Sequence, residues 1–178
     1  MKKKAFISGP IQGMETRQAY RERIGNICVR CGYEPVDPWK REKILYKGTE
    51  NGWWKKVPAD GFIKRDLEDI EKCSVLIAYM PKLSAGTCME LFYAKLKGKT
   101  TICICHLKNP SPWIIAHSDI TIKKMGELEK CTKNDLINKF NMTTADLFLQ
   151  SDFDQELFTL MEAKKTRLKS IWLLGSVF

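Results

Sequence analysis

Two carboxylates of this chain fall where a carboxylate either does chemistry or requires a structural reason. Glu90 ends the segment Ser84-Ala85-Gly86-Thr87-Cys88-Met89-Glu90, in which a turn of small residues leads into a helical stretch. Small residues there let a ligand approach the helix start. A glutamate at that point can attack an electrophilic carbon such as that of a sugar, and the covalent intermediate splits one hard displacement into two. The same spacing has a plainer reading, because Thr87 followed three residues later by Glu90 matches a helix capping box.

Asp66 is the second carboxylate. It lies three residues after Ile63 and four before Ile70, on the apolar face of a helix running from Phe62 to Lys72, while Glu68, Glu71 and Lys72 point outward. Taking a carboxylate out of water is costly unless it is paired or hydrogen-bonded. Asp66 therefore has an Arg or Lys partner, sits at the rim of the apolar stripe, or serves the leaving group or the proton transfer of a reaction at Glu90.

A scaffold that brings these residues together follows from the hydrophobic patterning. Ala5 to Ser8 is a short apolar run ending at Gly9-Pro10, and Gln12-Gly13 continue a turn-rich loop. Tyr20, Ile24, Ile27, Cys28 and Cys31 recur at helical spacing over Glu15 to Arg30, and Gly32 is placed to end that helix in a left-handed cap. Tyr33 to Asp37 is a second strand, stopped by Pro38, which leaves Asp37 at a strand's C-terminal end. Residues 40–60, with Pro58 and the pair Trp53-Trp54, show no period and predict a long loop or lid. Ser74 to Met80 reads as a strand buried on both faces, a helix from about Cys88 to Lys97 ends at Gly98, and Thr100–Cys105 and Asp119–Ile122 are two further strands. Strands alternating with helices predict a doubly wound, parallel five-stranded α/β sheet over residues 1–125. A helical extension over 126–178, with Leu147, Phe148, Phe153, Leu157 and Leu160 among charges, would pack on the domain or on a partner subunit. In such sheets ligands bind beyond the C-terminal strand ends, where helix N-termini point their amides inward. That rule gathers the loop from Gly9 to Gly13, the segment Asp37-Pro38-Trp39, and Ser84 to Glu90.

Composition narrows the setting. The apolar fraction of 44% and charged fraction of 29% suit a globular protein, and no apolar run approaches the length of a membrane span. The run after the basic residues Met1 to Lys4 is too short for a signal peptide, so a cytoplasmic location is expected. Seven cysteines, an odd number set mostly in apolar segments, read as buried reduced thiols. Cys28 and Cys31 have a metal-like spacing but no second pair follows, so no metal is expected; Cys103 and Cys105 face one side of a strand and read as core. The net charge of +9 suits either an anionic partner such as phosphate or a solvated lysine surface. With no nucleic-acid motif, a polymer partner is not expected.

Taken in order and spacing, Phe6-Ile7-Ser8-Gly9-Pro10, Glu34-Pro35-Val36-Asp37, Asp66-Leu67-Glu68-Asp69-Ile70 with Cys73, and Gly86-Thr87-Cys88-Met89-Glu90-Leu91 with Ala94 and Gly98-Lys99 resemble a known family. From about Lys4 to Met125 the chain is similar to the nucleoside 2-deoxyribosyltransferases and their relatives, the deoxynucleoside 5′-monophosphate N-glycosidases. The resemblance implies a flavodoxin-like domain that cleaves or transfers the N-glycosidic bond of a (deoxy)nucleoside or its 5′-monophosphate, without metal or organic cofactor. It implies Glu90 as nucleophile and Asp66 near the scissile bond. Ser8, Gly9, Pro10, Gln12, Asp37, Trp39, Ser84, Gly86 and Ser118 would bind substrate. Ser111-Pro112-Trp113 to Ser118-Asp119 matches a region that reaches across a subunit interface, which implies a homodimer or higher oligomer with shared active sites.

Two positions depart from the family's pattern. Many relatives have a tyrosine at Phe6 whose hydroxyl holds the catalytic glutamate, so here another donor must hold Glu90, or the chain binds a nucleotide without turning it over. Ser84 matches a phosphate-binding serine of the monophosphate hydrolases, whereas transferases acting on free nucleosides tend to have aspartate there. The first loop lacks the serine and arginine that those hydrolases also place on phosphate, but Arg17 and Arg21 are close enough in sequence to substitute. Trp39, Trp53 and Trp54 either stack on a base or pack in the lid or interface. His106 and His117 have no patterned partner and read as structural.

Overall fold

The apolar runs pair side by side into one parallel sheet. The computed structural model describes residues 2–45 and 58–128. Its strands β1 (Lys4–Ser8), β2 (Glu34–Val36), β3 (Val75–Met80), β4 (Thr100–Cys105) and β5 (Ile120–Ile122) lie in the order β2-β1-β3-β4-β5. Strand β3 reads as a continuous apolar run because it is paired on both edges and covered on both faces. From β1 the chain winds outward to β2, then returns past β1 to build β3 and the strands beyond. The crevice between the C-terminal ends of β1 and β3 is therefore the topological switch point, where the following loops diverge. In register, Ser8 at the end of β1 lies opposite Ala78 of β3.

The helices are α1 (Ala19–Arg30), α2 (Pro38–Leu45), α3 (Ala59–Lys72), α4 (Ala85–Leu96), α5 (Pro112–Ala116) and α6 (Met125–Leu128). Gly32 and Gly98, at φ 83° and 66°, end α1 and α4 in the left-handed conformation that favours glycine. Two expectations change. Helix α1 begins at Ala19 rather than Glu15, because the Gln18 side-chain amide donates to Pro10 O (3.1 Å) and Met14 O (2.8 Å) and holds the preceding residues in turns. The first part of the long loop expected over 40–60 is instead helix α2: Pro38 occupies a first helical position that needs no N–H, and the Asp37 carboxylate caps it by accepting from Trp39 N at 3.1 Å. Helix α3 takes up the loop's last residues from Ala59; residues 46–57, with Trp53 and Trp54, and the extension from residue 129 onward lie outside the described residues.

Phe6, Leu76, Ala78, Met80 and Cys103 from the sheet pack with Ile70 of α3, Leu91 and Ala94 of α4 and Ile114 of α5 to form the core. Ile63 is 48% exposed, so the buried stripe of α3 is narrower than its sequence period suggests and runs through Asp66 and Ile70. Cys28, Cys73, Cys88, Cys103 and Cys105 are free thiols. Burial pushes Cys28 and Cys103 up to about 12 and Cys73 up to about 11, so all three are protonated at neutral pH. Among the described residues, no helix is long and apolar enough to cross a membrane.

Candidate active site

Beyond the β1 and β3 ends lies a cleft of about 610 Å³. Its floor and one wall come from the β1–α1 loop, Gly9 to Gly13; the other walls come from Asp66 and Phe62 of α3 and from Lys82 to Thr87 and Glu90 at the start of α4. Seven residues singled out in the sequence meet here: Gly9, Pro10, Gln12, Asp66, Ser84, Gly86 and Glu90.

Glu90 is not the partner of a capping box at Thr87. Helix α4 starts at Ala85, and its cap is Ser84, whose Oγ accepts from Thr87 N at 3.4 Å and from Thr87 Oγ1 at 3.1 Å. That places Glu90 in the second turn, on the side facing β1, where its Oε2 accepts a hydrogen bond from Ser8 Oγ. Ser8 is 1% exposed and does not itself line the cleft, so the substrate contact expected of it gives way to a contact with Glu90. Phe6 lies two residues earlier, on the same face of β1, and is wholly buried in the core. Ser8 thus offers Glu90 a hydroxyl donor on the strand face where Phe6 has none.

Asp66 is buried on α3 yet opens onto the cleft, and it has a cationic partner. Arg41 of α2 reaches it through Nη2 at 2.9 Å and reaches Asp69 through Nη1 at 2.6 Å. The cationic partner expected of Asp66 is thus Arg41, and the same residue lines the cleft. Nothing in the sequence near Asp66 pointed to Arg41, which precedes it by 25 residues on another helix.

Behind the first loop, Arg21 of α1 is 3% exposed. Its Nε donates to Gln18 Oε1 (2.6 Å), Nη1 to Ile7 O and Asp37 Oδ1 (3.0 Å each), and Nη2 to Gly9 O (2.7 Å). Enclosed in this way, Arg21 is not placed to meet a substrate phosphate, and Asp37, turned toward it, does not line the cleft. Tyr20 lies over the loop and explains Gly9: a Cβ there would stand 2.9 Å from two ring carbons of Tyr20. Burial raises the Tyr20 phenol above its ordinary range, against the pull of Arg21, and its hydroxyl donates to Pro10 O at 3.4 Å.

Trp39 and Ser118 also lie outside the cleft lining; Ser118 Oγ donates to Ile114 O at 2.6 Å. His106 packs edge-on against Tyr79 at 5.2 Å, and His117 Nδ1 lies 2.7 Å from Trp113 O. Lys82 also lines the cleft, where no motif in the sequence marked it, although it follows a strand end. Its Nζ donates to Gln12 O at 3.3 Å and Gly13 O at 3.4 Å, tying the two loops across the cleft mouth and placing a cation there.

The sequence profile of the family described as nucleoside 2-deoxyribosyltransferase matches residues 5–149. No curated protein sequence matches the chain. Among solved structures, a 2-deoxyribosyltransferase from the psychrotolerant bacterium Bacillus psychrosaccharolyticus is 15% identical with a TM-score of 0.55, covering 81% of this chain and 95% of that one. A 2-desoxiribosyltransferase from Leishmania mexicana is 20% identical with a TM-score of 0.46, covering 61% of this chain and 67% of that one. The first of these likenesses is one of fold, and it agrees with the five-stranded parallel sheet described above. With a profile match that spans most of its length, this chain belongs to the nucleoside 2-deoxyribosyltransferase family.

Proposed function

We propose that this protein cleaves or transfers the N-glycosidic bond of a (deoxy)nucleoside 5′-monophosphate or nucleoside, with Glu90 as nucleophile. The observation that carries this reading is that Glu90 and Asp66, on different helices, open onto one cleft at the switch point of the sheet. A Glu90 carboxylate oxygen bonds to the anomeric carbon as the bond to the base breaks, and the base leaves with the bonding electron pair and takes up a proton from solvent. Asp66, ion-paired with Arg41, accepts a hydrogen bond from the N–H of the base and so steadies the departing, protonated form. Water, or a ring nitrogen of a second base, then attacks the anomeric carbon, loses its proton and releases Glu90 as carboxylate. Carboxylates and an acceptor suffice, so the reading requires no cofactor.

The leaning toward a monophosphate rests on three features of one wall: the Ser84 hydroxyl, the first turn of α4 at Ala85 and Gly86, and Lys82. Free, buried thiols suit a reducing cytoplasm. A homodimer or higher oligomer is supported by a second, apolar hollow of about 300 Å³ between α4 and α5, where Phe92 and the 71% exposed Trp113 lie beside Met89 and His117.

The test is chromatographic: free base released from ribo- and deoxyribonucleosides and their 5′-monophosphates, with and without an acceptor base, by wild type and Glu90→Ala. Release or exchange that vanishes in the variant supports the reading, and a Lys82→Ala variant should raise KM for the monophosphate alone. Binding of a nucleotide with no product from any substrate would instead favour a non-catalytic sensing module.

A further inference from the structure

We propose that Ser8 is a positioning residue for Glu90: its hydroxyl grips the carboxylate at Oε2 and fixes the side-chain torsion from which Glu90 attacks. The inference rests on the glycosyl chemistry proposed above and assigns to this chain the group that orients its nucleophile.

Three observations support it. Ser8 is 1% exposed, so water does not compete for its hydroxyl and the bond to Glu90 is charge-assisted in a poorly solvated place. Its mount is rigid: Ser8 is registered against Ala78 of β3, and the carbonyls on either side of it, of Ile7 and Gly9, both accept from Arg21. A serine has a single χ torsion before its hydroxyl, so a fixed backbone fixes the donor, whereas the glutamate it holds has three torsions to restrain. The third is chemical. A hydroxyl orients a carboxylate without neutralising it, so Glu90 keeps the charge that a nucleophile uses, in contrast to Asp66, which faces a guanidinium.

The experiment compares wild type, Ser8→Ala and Ser8→Thr by steady-state kinetics, pH profiles and 13C NMR titration of side-chain carboxyls, with the Glu90 resonance identified by its loss in Glu90→Gln. Other charged or titratable groups near Glu90 are Asp66 of α3 and Lys82 ahead of α4 in the cleft, and Tyr20 of α1 with Arg21 and Asp37 behind it. Ser8→Ala alters none of them. The expected result is a fall in kcat of about tenfold to a hundredfold with KM changed about twofold or less, since misplacement of a reacting group costs rate rather than binding. The Glu90 titration and the acid limb of the pH profile should move to higher pH when the donor is lost, and Ser8→Thr, which retains a hydroxyl, should restore both. Wild-type kcat and an unmoved Glu90 titration in a folded Ser8→Ala protein would overturn the assignment. If wild type turns over nothing, the glycosyl reading fails, while the NMR titration still decides whether Ser8 grips Glu90.

Discussion

Arg21 and Arg41 both hold aspartates within reach of the same first loop and cleft, and they do different work. Arg21 is enclosed; Asp37, two backbone carbonyls and the Gln18 side chain take its donors, and the side chains of the pair are each 3% exposed. Arg41 on α2 is partly exposed, its side chain at 37%, and spans Asp66 and Asp69. An enclosed guanidinium bonded to backbone carbonyls is architecture: it ties the end of β1 to α1 and to the start of α2. A half-exposed guanidinium on a carboxylate that lines a cleft lies where substrate, water and salt can compete for it.

The largest effect should come from breaking the enclosed cluster. Arg21→Ala leaves Asp37 buried without its cation and should cost about 3–5 kcal/mol of stability, measured by equilibrium urea unfolding. Arg21→Lys should rescue little, because one ammonium cannot reach acceptors on Ile7, Gly9, Gln18 and Asp37 together. A loss below about 1 kcal/mol, the range of exposed pairs, would remove the distinction between the two arginines. Next comes Gly9→Ala. The added methyl meets the Tyr20 ring, which is itself packed at a tilt against Tyr79 with centroids 4.3 Å apart, and overpacking of this kind costs about 1–3 kcal/mol. A Tyr20→Leu change should make the Gly9→Ala substitution less costly in a double-mutant cycle; strict additivity would show that the loop avoids the ring.

The same contrast explains what the sequence could and could not disclose. The strands, the helix ends at Gly32 and Gly98 and the location of the cleft were legible, because apolar runs, glycine punctuation and the strand-end rule are local signals. Helix α2 was not, since Pro38-Trp39-Lys40-Arg41 carries no apolar period and its stability depends on a cap from Asp37. Glu90 and Asp66 were legible as unusual carboxylates, but their partners were not. Ser8 meets Glu90 across 82 residues and Arg41 meets Asp66 across 25, and no spacing rule reaches so far. Arg21 was misjudged for a related reason: an arginine on the apolar face of α1 looks available until the carbonyls that enclose it are in place.

Ser84 carries two expectations that can be separated by experiment. As the cap of α4 it should cost about 1 kcal/mol when changed to Ala. Ser84→Asn, which retains a capping acceptor, should keep that stability and yet weaken a monophosphate more than the free nucleoside. Equal losses for both substrates would leave Ser84 as a cap alone.

The smallest change in stability is expected at Arg41, where the pair is partly exposed. Arg41→Ala should cost no more than about 1 kcal/mol, and the loss should shrink further in molar salt, because exposed charges are screened within a few ångströms there. Its effect on turnover should exceed its effect on folding: Asp66 and Asp69 would face one another without their shared cation, and Asp66 would lose the contact that orients it toward the cleft. Arg41→Lys should recover part of the activity, since a point charge can neutralise one aspartate but cannot span two. An Arg41→Ala protein that loses several kcal/mol while retaining full kcat/KM would reverse the assignment, making Arg41 a second architectural clamp and Asp66 a structural acid that happens to face the cleft.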